Sequence, residues 1–143
     1  MIIQNAIKIL GNPPVYLRSR NVHDYRALDL PNGNSVAVDG GNCYIRRGYK
    51  RCLDGYEEFN LLDTDPFEVI CDRLLWGTCG PKRSEPLKDV RLTECSTDHL
   101  KAIKKDCPKI VGTIYEKVID YILASRCKRK ISHKATRGTF KTL

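Results

Sequence analysis

Val22-His23-Asp24-Tyr25-Arg26-Ala27-Leu28-Asp29-Leu30, Pro31-Asn32-Gly33-Asn34 and Ser35-Val36-Ala37-Val38-Asp39 follow one another without a break. Two stretches of β character flank an Asn-Gly pair, the dipeptide favoured where a hairpin needs positive φ at its tip. Gly40-Gly41 then permits a sharp reversal, and Asn42 to Arg47 reads as the next strand. Working outward, Met1 to Leu10 is rich in Ile and stops at the breaker Gly11-Asn12-Pro13-Pro14. Val15-Tyr16-Leu17 makes a short strand beyond it. The first half therefore predicts a small antiparallel meander through about Lys50.

The second half reads as helical. Asp65-Pro66 opens a helix, with Asp65 as N-cap, and Phe67, Ile70, Cys71 and Leu74 follow at helical spacing. Gly77 to Pro86 reads as a polar loop. Ser96 or Thr97 caps a second helix that carries Leu100 and Ile103 inward and ends before Pro108. Val111, Ile114, Tyr115, Val118, Ile119 and Ile122 form the apolar stripe of a third helix. The expectation is an α+β fold, a small antiparallel meander followed by three helices and a basic tail. Residues 1–60 would be a β-rich subdomain, 61–125 a helical one, and 126–143 a tail with little to bury, expected to be mobile.

The 143 residues carry a net charge of +8, and its distribution matters more than its size. Arg126, Lys128, Arg129, Lys130, Lys134, Arg137 and Lys141 give seven cations after Ser125 with no acid among them. The remaining 125 residues hold eighteen cations against seventeen acids, a net of +1. Such a tail suits a polyanion or an acidic protein surface, or else only keeps the chain in solution. No apolar run reaches the ~18–20 residues that span a bilayer. The first residues lack a basic segment and cleavage site of the secretory kind. A cytoplasmic protein is expected, with no membrane among its partners. Cys43, Cys52, Cys71, Cys79, Cys95, Cys107 and Cys127 are odd in number and widely spaced. Neither a zinc site nor a disulfide framework is expected, and no cofactor.

Several constellations invite a functional reading beside a structural one. Asp39-Gly40-Gly41 could turn backbone N–H groups toward an anion, with Tyr44 and one arginine of Arg46-Arg47 completing a phosphate or nucleotide site near Lys50 and Arg51. A glycine turn forced by positive φ is the structural alternative. Adjacent arginines on a strand face opposite ways, so only one could serve. His23-Asp24 resembles a general-base pair, but neighbours on a strand cannot easily meet. Trp76 would anchor a helix end in the core or, exposed, act as a stacking platform or interface contact. Cys79, near Lys82 and Arg83, is the cysteine most easily activated, with His99 as its local candidate base. His99 more simply sits in the first turn of a helix. No catalytic set stands out.

Two stretches resemble known sequences. Val22-His23-Asp24-Tyr25, Val36-Ala37-Val38-Asp39-Gly40-Gly41 and Tyr44-Ile45-Arg46-Arg47 resemble a family of small tailed-phage and prophage proteins. These carry a His-Asp-aromatic step, a Val-Asp-Gly-Gly turn and a Tyr-Leu-Arg-Arg strand. Many members add two close cysteine pairs, as in zinc ribbons. Here Ile9 and Asn12 stand at the first pair, and the Leu30 to Asn34 turn replaces the second. Leu75-Trp76-Gly77-Thr78, Pro86-Leu87-Lys88, Leu92-Thr93-Glu94-Cys95 and Asp98-His99-Leu100-Lys101-Ala102-Ile103 resemble a module of other phage proteins. The resemblance implies a phage genome and no particular reaction. The leading expectation is a non-enzymatic phage accessory protein, cytoplasmic in an infected bacterium. It would bind and inhibit a host component such as a defence or transcription factor, through the meander, the Trp76 loop and the tail. A nucleic-acid or nucleotide-binding protein using Arg46, Arg47 and the tail is the first alternative. A small enzyme with a His/Asp or Cys/His site is the second.

Overall fold

The computed structural model describes the backbone except at residues 31–32, 51–54, 81–82 and 143, and the side chains except there and at 48–50 and 130–142. The chain forms two compact units, Met1–Arg91 and Leu92–Leu143. The division falls at neither 60/61 nor 125/126, because residues 61–91 add strands to the first unit.

In the first unit, β1 (Ile2–Ile9) and β2 (Val15–Ser19) form an antiparallel hairpin with Ile7 opposite Leu17. The Gly11–Pro14 connection contains a cis Asn12–Pro13 bond. β3 (Arg26–Asp29), β4 (Ser35–Asp39) and β5 (Arg46–Lys50) make a separate three-stranded meander. β6 (Tyr56–Glu58) and β7 (Leu61–Leu62) both pair with β1. The ladder is interrupted between them, where Asn60 Oδ1 accepts from Ala6 N at 3.2 Å. After α1 (Phe67–Arg73), β8 (Leu75–Thr78) and β9 (Lys88–Arg91) return to the first sheet, which runs β6-β1-β2-β9-β8 with β7 beside β1.

Strand periodicity explains the core. Ile7 and Ile9 of β1 and Leu17 of β2 pack with Val36 and Val38 of β4. Each such buried side chain contributes ~1.5–3 kcal/mol, so this apolar layer outweighs any single polar contact in the unit. On the opposite face Ala6 and Tyr16 pack with Phe59 and Leu75, and the Tyr16 and Phe59 ring centroids are 5.1 Å apart. Buried Gln4 ties the periphery together. Its Nε2 donates to the carbonyls of Phe59 and Arg73, and its Oε1 accepts from Leu75 N.

The second unit opens with a 3₁₀ turn (Leu92–Glu94), followed by α2 (Thr97–Asp106), a second 3₁₀ turn (Pro108–Ile110) and α3 (Ile114–Thr142). Ser96 is the N-cap of α2, its Oγ accepting from His99 N at 3.1 Å. Leu92, Leu100, Ile103, Ile110, Val118, Ile119 and Ile122 are buried.

An antiparallel β N-terminal half followed by three helices is therefore the fold, with local corrections. The strand predicted from Val22 starts at Arg26, since Asp24 N donates to Asn21 O across a turn. Asn42–Tyr44 belong to the Gly40 turn, and β5 starts at Arg46. Asp65 does not cap α1. Its carboxylate accepts from Leu62 N at 2.8 Å, and Pro66 occupies the cap position without a side-chain bond. The expected loop from Gly77 begins inside β8, and β9 is an unforeseen strand; four residues are too few for a periodicity to declare itself. Val111 lies before α3 and is 68% exposed. Residues 126–142 continue α3 as helix where a separate tail was expected. Pro31, Asn32 and Cys52 lie outside the described residues. Gly33 has φ +84°, a conformation that favours glycine.

Candidate functional site

The structure brings Asp39, Gly40, Gly41, Tyr44 and Arg46 together. Gly40 and Gly41 adopt φ +101° and +53°. A Cβ at Gly40 would collide with Tyr44, and one at Gly41 with the backbone of Asn21, so close approach and positive φ both demand glycine. Three N–H groups of this turn are spent internally. Gly41 N donates to Ser19 Oγ at 2.9 Å, and Cys43 N and Tyr44 N donate to Gly40 O. Fully buried Asn5 holds the turn from beneath, its Nδ2 meeting the carbonyls of Asp39, Gly41 and Tyr44 at 2.7, 3.0 and 3.1 Å.

The two arginines face opposite ways, as the strand pleat dictates. Arg46 is 65% exposed in its side chain and is engaged by Asp39 Oδ2 through Nε, at 3.0 Å, and Nη2. Its guanidinium carbon lies 5.5 Å from the Tyr44 ring centroid. The hydrogen bond to Asp39, and then that carboxylate's charge, hold the Arg46 pKa above its usual value. Arg47 points inward and is only 7% exposed in its side chain. Its guanidinium donates to Asn5 Oδ1 at 2.5 Å, Ala6 O at 3.1 Å, Glu58 Oε2 at 2.8 Å and Asn60 Oδ1. It thus fastens β5 to β1 and β6. The residues expected to form a phosphate site lie together, but the Arg46 charge is met by Asp39 and Arg47 is a structural clamp. Lys50 and Arg51 lie outside the described side chains.

A second polar cluster escaped sequence reading. Asp89 is buried on β9. Its Oδ1 meets Arg20 Nη2 and lies 3.8 Å from Arg18 Nε, and its Oδ2 accepts from Arg18 N at 3.2 Å. Arg18 Nη1 donates to Leu75 O at 2.7 Å. Gly77, opposite Asp89 in the β8–β9 register, leaves room for the Arg20 guanidinium. The signal was the Arg18-Ser19-Arg20 spacing, two cations on one strand face, but nothing local marks Asp89 as their partner.

His23 and Asp24 occupy a turn. Asp24 Oδ2 accepts from Arg20 N at 2.8 Å, His23 N donates to Asn21 Oδ1, and the His23 side chain is exposed. Trp76 is half-buried on β8 opposite Val90, in a strand and not at a helix end. Cys79 is half-buried just past β8 in the first unit, and His99 sits in the first turn of α2 in the second. Lys82 lies outside the described residues. Among the described residues no cluster of His, Cys, Asp and Glu is arranged to hold a metal ion, and no helix is long and apolar enough to cross a membrane.

Arg126 belongs to the fold of its unit. Its guanidinium donates to the carbonyls of Thr93 and Cys95 at 3.2 and 2.8 Å and to Thr97 Oγ1 at 3.1 Å. Lys128 and Arg129 are exposed one turn on. The side chains of Lys130, Lys134 and Arg137 lie outside the described residues. Comparison of the chain with protein-family models, with curated proteins and with solved structures finds no match.

Proposed function

We propose that this chain is a non-enzymatic accessory protein of phage origin. It binds and blocks a component of the infected bacterial cell, such as a defence or transcription factor, by docking a basic helical segment on an anionic surface. One observation carries the reading. Seven cations and no acids follow Ser125, on a helix that runs to Thr142, while the rest of the chain is nearly neutral. Charge so concentrated attracts an anionic partner at long range and makes the contact salt-dependent. Tyr25, Tyr44 and Ile45 are exposed on the first unit, with Tyr44 against Arg46, and aromatic residues and Arg are enriched at protein interfaces.

The test compares the full chain with one ending at Arg129, each immobilised and exposed to bacterial lysate with and without nuclease. The expected result is retention by the full chain that falls steeply between roughly 50 and 200 mM salt and is lost on truncation. Equal retention by both chains overturns the reading. A nucleic-acid partner is the second reading, favoured by the spacing of the cations along α3.

A further inference from the structure

Helical backbone through Thr142 gives the spacing of the cations a meaning that a flexible tail would not have. Positions 130, 134, 137 and 141 are Lys, Lys, Arg and Lys. At about 100° per residue they fall within an arc of about 60°, along about 17 Å of helix. Arg126 begins the same stripe one turn earlier, but its guanidinium is held by the Thr93 and Cys95 carbonyls. Lys128 and Arg129 fall on other sides of the helix.

The apolar residues discriminate between partners. Beyond Arg129 the large apolar residues before Leu143 are Ile131 and Phe140. Nine positions apart, they lie about 180° from each other around the helix. A helix that docks in a protein groove needs apolar residues repeating at i, i+3, i+4 and i+7. One that lies on a bilayer needs a continuous apolar face. Protein interface cores are also depleted in Lys, whereas single strands are gripped by several stacking aromatics. A line of Lys and Arg with neither feature fits a regular row of phosphates.

We infer that this stripe of α3 docks along the sugar-phosphate backbone of duplex nucleic acid, at a groove wide enough to admit a helix. This rests on the second reading above, a nucleic-acid partner for the basic segment, and names the form of nucleic acid and the way it is held. The stripe spans about five base-pair rises of one strand. Its Lys and Arg residues neutralise phosphates and carry no base readout, so binding is independent of sequence.

The test measures binding of the intact chain to a fluorescent duplex of about 20 base pairs, and to poly-L-glutamate, over a range of salt. Two double variants remove equal charge, K130Q/K134Q on the stripe and K128Q/R129Q off it, with circular dichroism to verify that each retains its helix. The expected result is duplex binding whose log–log salt slope flattens by about 2 in K130Q/K134Q, weakening on the order of 50-fold near 0.1 M salt, and by much less in K128Q/R129Q. Equal losses in the two variants overturn the stripe. Binding to poly-L-glutamate without binding to duplex overturns the inference and leaves the anionic-partner reading standing. Binding to neither overturns both.

Discussion

Arg126 donates from Nη2 to the carbonyl oxygen of Cys95 at 2.8 Å, joining α3 to the link between the first 3₁₀ turn and α2. A residue that counts as tail by charge is thus part of the fold by bonding. Hydrogen bonds from a charged donor contribute ~1.5–3 kcal/mol. A chain ending at Ser125, and the full-length variant Arg126→Met, should both melt roughly 5–15 °C lower than a chain ending at Arg129. Thermal unfolding followed by circular dichroism measures this; coincident melts would show that the carbonyl contacts contribute nothing.

Asn5 and Arg47 form a polar link between the two sheets of the first unit, beside the apolar layer. Asn5→Ala leaves the carbonyls of Asp39, Gly41 and Tyr44 without their buried donor. Arg47→Met frees β5 from β1 and β6. Each should cost about 2–4 kcal/mol in urea unfolding. Because they share a bond, the double variant should lose less than the sum, by about 0.5–3 kcal/mol. Strict additivity would mean that the two side chains act separately.

Asp89 sets one carboxylate oxygen between the guanidinium groups of Arg18 and Arg20. Asp89→Asn removes the carboxylate that faces both guanidinium groups and should destabilise the first unit by about 3–5 kcal/mol. Adding Arg20→Met to it should recover part of that loss, since the guanidinium that Asp89 paired is gone. A double variant no more stable than Asp89→Asn would place the cost in packing around Gly77.

Burial pushes the Cys71 and Cys95 thiols above their ordinary pKa; Glu68 adds to the first, and for the second Arg126 partly opposes burial. The unfolded chain therefore ionises at lower pH than the folded one. The stability tied to these thiols is fully present below the ordinary thiol pKa and is lost as pH rises through the folded values. Replacing Cys95 by Ala should flatten the alkaline fall in stability of the second unit. The same burial predicts that Cys43 and Cys127, both exposed, react with a thiol reagent well before Cys71 and Cys95 in the native protein. Simultaneous labelling of all four would refute it.

What the sequence determined by itself was local. Ile and Val marked β1 and β4, Gly33 and Gly40-Gly41 marked the reversals, Ser96 or Thr97 marked the start of α2, and Val118, Ile119 and Ile122 marked the buried face of α3. Each is written in a few neighbouring residues, because turn chemistry, capping and periodicity act over one or two turns of chain. The partners of the charged side chains were settled only by tertiary structure. Asp89 lies 69 positions from Arg20, Asn5 lies 42 from Arg47, and Arg126 lies 31 from Cys95. A short strand such as β9 gains its identity only from the strands beside it. Charge is legible residue by residue, but whether a cation is spent on a neighbouring carboxylate or left facing solvent depends on which distant segments folding brings within about 3 Å.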